Sequence, residues 1–410
     1  MIVNTALWSI FVGFLAVGFL CEYRLRSPFL LVWPMIFAFV GLPIGLEIAG
    51  VIPPHDPRTI FYGLSIGIVF SVCYLSGFLV ITHNYGSLVS TAISPPVFRH
   101  RGQFALICFT AIALIVFLLY INGVTLQLIW FSNWRDKSEL GFDSVLISWL
   151  VAGLAGCLFY ALEKRYLFVA ISIIGVSLTV LVFYRTRGIV ASYFVAGCIY
   201  WIIHKRGSFV PVVIVAGIAA FVAVLVRSVR FMGSFSNVTD LSDVLFIFQR
   251  HLSEIFVSGD LSVYQYYLQI IEQCGQTLDC FNFTYLTSIA GRLGLGDTTS
   301  SRIEYALFDQ LVQEGVGGSI HPTIFGTIFA DFGLVAGMVF VLLLGGVHGV
   351  LKIHVTGQRM LFLIGFLGSY TVFFARGSIF NGLVALFAGI VVSFVLAYML
   401  RFKVVKYRRA

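Results

Sequence analysis

The 410 residues carry a formal net charge of +8, are 59% hydrophobic and only 11% charged, and have a mean hydropathy of +0.99. A soluble domain has about a quarter of its residues charged, and no water-soluble core buries this much apolar surface. Composition therefore excludes a soluble enzyme or binding module and leaves a polytopic membrane protein, of one domain because no long polar linker divides it.

A membrane-spanning helix needs about 17–25 mostly apolar residues. The first such run, 3–21, has neither a basic start nor a small-residue cleavage site, so it reads as a membrane helix rather than a signal peptide. The runs 28–52, 60–82, 103–122, 144–162, 167–184, 189–203 and 209–226 follow, and 323–351, 361–375 and 383–400 close the chain. These eleven runs, bounded at ten to twelve helices, predict an all-α polytopic integral membrane protein. Residues 1–226 hold helices one to eight, 227–322 form one large polar segment, and 323–410 hold the last three helices and a basic tail.

Charge orients the bundle, because Lys and Arg concentrate in short cytoplasmic loops. The tail carries Arg401, Lys403, Lys406, Arg408 and Arg409 and is placed in the cytoplasm. Counting back through eleven helices makes cytoplasmic the loops with Arg24 and Arg26, Arg99 and Arg101, Lys164 and Arg165, Lys205 and Arg206, and Lys352 and Arg359. That side then holds 15 of the 26 basic residues against two acids, Glu22 and Glu163, while the rest of the chain holds 11 basic and 16 acidic residues. The asymmetry predicts an external N-terminus and a cytoplasmic C-terminus. Nothing in it points to nucleic acid.

The stretch "YRTRG", Tyr184 to Gly188, then falls on the external side. The helix after it, 189–203, spans only about 23 Å at about 1.5 Å per residue, against a hydrocarbon core of about 30 Å. Arg185 and Arg187 are thus expected near the bilayer edge at a helix N-terminus, where free N–H groups favour an anion. Snorkelling, or a salt bridge to Asp136 or Asp143, is the alternative.

The large segment is external by the same count. "DLSDVLFIFQRHLSEIF" (Asp240–Phe256) repeats apolar residues at helical spacing, "LSVYQYYLQIIEQC" (Leu261–Cys274) reads as a second helix, and a third covers Arg302–Val312. Such short amphipathic helices lie against a membrane face. Cys274 and Cys280 are the only two cysteines on this side. In an oxidising compartment they pair as a disulfide; otherwise they stay as thiols. Arg227, Arg230 and Arg302 add cations suited to phosphate, which the planar guanidinium fork recognises. Glu304 and Asp309 lie close to Arg302. No metal site is expected, since His251 and His321 stand apart from each other and from the cysteines. "GGSIHPTIFGTIFADFGLVAG" (Gly317–Gly337) then leads into helix nine. It sets His321 at the mouth of the membrane region and Asp331 about two turns deeper, where a carboxylate needs a partner or a wet cavity. Glu47 is a further lone acid near the external end of helix two.

"HPTIFGTIFADFGLVAG" (His321–Gly337) resembles the segment that closes the large periplasmic loop of Wzy-type O-antigen polymerases, and "YRTRGIVASYFVAGCIYW" (Tyr184–Trp201) is similar to their earlier arginine-bearing loop. The architecture matches over the whole chain, the motifs over some forty residues. The Arg-x10-Gly pattern of some members is not kept: nine residues separate Arg187 from Gly197, and twelve separate Arg302 from Gly315. The resemblance implies a GT-C-like glycosyltransferase of the bacterial inner membrane that joins undecaprenyl-diphosphate-linked repeat units, without a cofactor. It also leaves room for a chain-length regulator protein as partner. Arg185, Arg187, Arg227, Arg230 and Arg302 would bind the diphosphate, and His321 would take the acceptor proton, with Glu304 and Asp331 as rivals. An O-antigen ligase or a capsule or exopolysaccharide polymerase fits the same residues. A lipid-linked oligosaccharide flippase is the alternative of another class; transporters usually show related halves, and no repeat is visible here.

Overall fold

The computed structural model describes residues 2–85, 101–124, 141–184, 187–204, 207–212, 214, 263–285, 287, 303, 307–308, 321–354 and 358–406. Among them the chain is helical, with one isolated bridge between Cys274 and Leu278 and no strand.

The helices, in order, are α1 (Ile2–Leu25), α2 (Val32–Ile36), α3 (Leu42–Ile48), α4 (Pro57–Tyr85), α5 (Arg101–Ile121), α6 (Gly141–Glu163), α7 (Leu167–Tyr184) and α8 (Arg187–Ile199), then α9 (Val263–Gln273), α10 (Thr323–His354), α11 (Gln358–Arg376) and α12 (Ile379–Lys406). Five segments are long and apolar enough to cross a membrane: Ile2–Leu25, Pro57–Asn84, Arg101–Ile121, Leu146–Glu163 and Thr323–Ile353. Val32–Ile48, Leu167–Val180, Ser192–Ile203, Leu363–Arg376 and Ile379–Val395 are shorter apolar helical segments. Large apolar side chains such as Val116, Phe117, Val335, Leu343 and Phe387 point outward. A soluble protein would hide them; a multi-pass membrane protein turns them to lipid.

The run expected as one helix over 28–52 is interrupted. A π-helical turn, Phe37–Gly41, separates α2 from α3. Pro43 has no N–H to return to the preceding turn, which loosens the ladder there. A second π turn, Tyr200–His204, extends α8 beyond the predicted end.

Glycines set the closest helix crossings. A Cβ on Gly77 would stand 2.0 Å from the Leu342 carbonyl oxygen, and one on Gly345 would stand 2.1 Å from that of Tyr74. Gly365 meets the Ala152 carbonyl in the same way at 1.7 Å, and Gly368 the Ser192 carbonyl at 2.2 Å. Lipid is as apolar as a leucine surface, so close backbone approach rather than hydrophobic exclusion joins these helices. α4 with α10, and α11 with α6 and α8, are the resulting pairs.

One end of the bundle gathers several element starts. Asn4 at the start of α1 donates to the Pro57 carbonyl at the start of α4 (2.9 Å), and Thr327 near the start of α10 donates to the Gly377 carbonyl in the turn before α12 (2.9 Å). These starts define an N-terminal face of the bundle. α1, α10 and α12 run from it toward the opposite face, where Arg26 Nη1, just past α1, donates to the Ile202 carbonyl (2.8 Å).

Candidate functional site

The "ADFGL" stretch breaks α10. Gly333 adopts φ 72°, ψ −170°, a left-handed conformation that a side chain would strain, and the Phe281 ring lies 3.3 Å from where a Cβ would stand. Carbonyls beside the break accept amides from another segment: Phe281 N–H donates to Ala330 (2.7 Å) and Phe283 N–H to Asp331 (3.1 Å). Phe281 and Phe283 themselves have positive φ, 68° and 51°. Edge contacts of their rings with Phe329 and Phe332 hold that unusual backbone in place.

The Asp331 side chain completes the junction. It is fully buried, and its Oδ1 accepts both the Thr284 N–H and the Thr284 hydroxyl, each at 2.6 Å, while Oδ2 accepts the Tyr285 N–H at 3.3 Å. A buried carboxylate without donors is costly; here it has three and caps the turn that begins at Thr284. Thr284 Oγ1 in turn accepts the N–H of buried Ile303 (2.8 Å). The residues on either side of Ile303 in sequence are Arg302 and Glu304.

α9 crosses the same face. Tyr267 donates from its hydroxyl to the Gly63 carbonyl in α4 (2.6 Å), and its ring lies 3.0 Å from where a Cβ on Gly326 of α10 would stand. His321 and Pro322 enter α10 one turn before Gly326, and His321 is half-buried. α9 ends at the disulfide that joins Cys274 and Cys280. One turn before Tyr267, the Tyr264 ring meets the His55 ring edge-on at 6.0 Å. Burial pushes the Tyr264 hydroxyl up to about 12 and raises that of Tyr267.

His55 belongs to a pair that sequence reasoning missed. Both oxygens of Glu47 lie 3.0 Å from His55 Nδ1, and the His55 backbone N–H also donates to Glu47. The Glu47 side chain is 0% exposed and that of His55 is 29% exposed. Hydrogen bonding to Glu47 raises the imidazole pKa above its ordinary value; burial opposes this, and the charges of Glu47 and Glu272 add to it. The signal available in sequence was a lone acid ending an apolar run, followed eight residues later by a histidine in a proline-rich link.

Of the residues singled out from sequence, His321, Asp331, Cys274 and Cys280 stand together on this face. Arg187 opens α8, where only its backbone is described. Arg185, Arg227, Arg230, Arg302 and Glu304 lie outside the described residues. Among the described residues no cluster of three His, Cys, Asp or Glu side chains could hold a metal.

A second polar cluster lies toward the opposite face. Glu22, counted from sequence as a loop acid, is fully buried in α1. It accepts from the Ser27 hydroxyl, from Trp33 Nε1 (2.9 Å) and from the Tyr74 hydroxyl (3.2 Å). Tyr74 also pairs with His348 Nδ1 (2.6 Å), and Tyr370 with His348 Nε2 (2.7 Å). The imidazole stacks on Phe29 with ring centres 3.8 Å apart. The helix turn after Arg24 folds back over the carboxylate, so proximity to two arginines in sequence did not mean exposure. Beside Trp33 and Tyr74 an apolar cavity of about 20 Å³, lined also by Phe70 and Phe325, holds about one water volume and is far too small for a sugar.

Comparison with protein-family models, curated proteins and solved structures finds no match to this chain.

Proposed function

We propose that the protein is a Wzy-type O-antigen polymerase of the bacterial inner membrane, with the N-terminal face in the periplasm. The observation that carries this reading is the junction at Asp331: the part of the polar segment just after α9 docks through Phe281, Phe283 and Thr284 on the broken "ADFGL" helix. The two stretches that resemble the polymerase family, one opening α8 and one opening α10, thereby supply elements of one bundle. In this reading a groove at the bundle edge takes the polyprenyl chain. Arg185, Arg187, Arg227, Arg230 and Arg302 stabilise the diphosphate as it leaves, in a site shielded from bulk water. The end sugar of an incoming lipid-linked unit supplies the nucleophilic hydroxyl, and a base on the same face takes its proton; sequence offers His321, Glu304 and Asp331.

Deleting the gene in its source strain and resolving surface polysaccharide by gel tests the reading. A ladder reduced to core plus one repeat unit is expected, and Arg187→Ala at normal abundance should fail to restore it. Bare core would identify a ligase instead. An unchanged ladder would exclude O-antigen assembly and turn attention to capsule synthesis or transport.

A further inference from the structure

We propose that His55, oriented by Glu47, is the proton acceptor for the attacking sugar hydroxyl. This rests on the polymerase reading and names a group within it. The geometry begins in the sequence "EIAGVIPPHDP", Glu47 to Pro57. Pro53 and Pro54 stiffen the link, and it returns His55 to the carboxylate that closes α3. One carboxylate then fixes both the His55 backbone, through its N–H, and the ring, through Nδ1. Such double anchoring removes rotamer freedom from the imidazole. It also selects the tautomer: with the Nδ1 proton held by Glu47, the lone pair of the neutral ring sits on Nε2. His55 Nε2 has no hydrogen-bond partner among the described residues, and the side chain keeps 29% of its surface open. A buried carboxylate behind a partly open imidazole is the arrangement of a general base, since the carboxylate stabilises the imidazolium once the proton arrives.

Placement supports the role. The charged groups around the ring are Glu47 in α3, Glu272 in α9, and Asp56 and Arg58 along the chain; Asp56 itself accepts the Arg58 N–H at 3.1 Å. The neutral Tyr264 ring covers one edge. Tyr264 and Tyr267 are one turn apart on α9, so this helix spans from His55 to the start of α10. The same helix runs into the disulfide and then into the segment held by Asp331. The dyad and the docked segment are therefore joined through α9, on the same face of the bundle.

The step balances without a co-reactant. The acceptor oxygen bonds to the anomeric carbon of the growing chain as its proton passes to Nε2. The bond from that carbon to the diphosphate oxygen breaks, and its electron pair leaves with undecaprenyl diphosphate. The imidazolium then returns the proton to solvent.

The test uses the full chain in proteoliposomes and, as probe, the lipid-linked oligosaccharide that accumulates in the deletion strain. Initial rates of chain joining are measured across pH. The wild type should show an acid limb, with activity rising as one group deprotonates. His55→Asn should lower kcat about 100-fold or more, leave KM close to wild type and abolish the limb. Glu47→Gln should move the limb to lower pH, a displacement that a loss of folded protein cannot produce. Binding of the lipid-linked probe, measured in parallel, should persist in both variants. A His55→Asn protein with wild-type rate and limb overturns the assignment while leaving the polymerase reading intact, as does a limb lost only in His321→Asn. A limb unmoved by Glu47→Gln removes Glu47 from the scheme. A wild-type protein that joins no chains overturns the polymerase reading, and this assignment with it.

Discussion

Glu22 and Glu47 are both buried carboxylates at helix ends, one toward each face of the bundle, and their surroundings make them opposites. Glu22 is met by a serine, an indole and a tyrosine, and the chain of contacts runs on through His348 to Tyr370 without reaching the surface. Every donor in it is a side chain already packed between helices. Glu47 is met by one histidine, and the far side of that histidine is open. A carboxylate surrounded by hydroxyls and an indole fixes where helices sit, because each donor would be stranded elsewhere. A carboxylate behind an open imidazole leaves a lone pair available to something outside the protein. Burial alone does not separate the two cases; the partner and its exposure do.

The contrast can be broken most severely at the closed end. Glu22→Ala strands Ser27 Oγ and Trp33 Nε1 and removes one partner of Tyr74, each at about 1–3 kcal/mol. The expected loss is roughly 4 kcal/mol, read as a lower thermal unfolding midpoint in detergent; a midpoint equal to wild type would show that the closed cluster does not hold the bundle. Asp331→Ala comes next, at about 3 kcal/mol from two stranded amides and a hydroxyl. Its effect should be local, with new protease cleavage within 281–287 before the bundle melts. Cleavage unchanged from wild type would remove the docking role. His348→Phe keeps the stack on Phe29 but strands the Tyr370 hydroxyl and leaves Tyr74 with Glu22 alone, so about 1–2 kcal/mol is expected by the same unfolding measurement. The smallest effect lies at the open end. The His55 pKa is raised in the folded protein, so its pairing with Glu47 contributes fully below the ordinary imidazole range and is lost as pH rises through the raised value. A partly exposed pair is worth about 1 kcal/mol or less. Glu47→Gln should flatten the difference in stability between pH 6 and pH 8. A pH dependence that survives in Glu47→Gln would assign it to another group.

Much of the helical layout was legible, because an apolar run of spanning length has few alternatives in water or lipid. The runs at 3–21 and 60–82 fall inside α1 and α4, the run at 103–122 overshoots the end of α5 by one residue, and the short run at 361–375 gains a turn as α11 begins at Gln358. The breaks were not legible. "GTIFADFGLVAG" is continuous in hydropathy, so Gly333 reads as one more small residue until its φ is seen. The π turn at Phe37–Gly41 hides equally well, since Pro43 is tolerated near a helix start as readily as it loosens one. At the site, Asp331 stood out because a carboxylate inside a span is expensive. His55 did not, because a histidine in a loop is ordinary and its link to Glu47 exists only once the chain folds back. Glu22 was hidden by its neighbours: beside Arg24 and Arg26 it looks like part of a solvated loop.

The break at Gly333 also bears on how the chain is made. Synthesis delivers Phe281, Phe283 and Thr284 well before Ala330 and Asp331, and the contacts that fix them span about fifty residues. The polar segment therefore reaches its side of the membrane with its backbone amides still served by water. It settles only when the tenth helix has been inserted and offers its exposed carbonyls and its aspartate. Helix ten is then both a span and the fastener for a segment translated earlier. A chain interrupted before residue 331 would leave the bundle's first half in the bilayer with its largest polar segment unfastened.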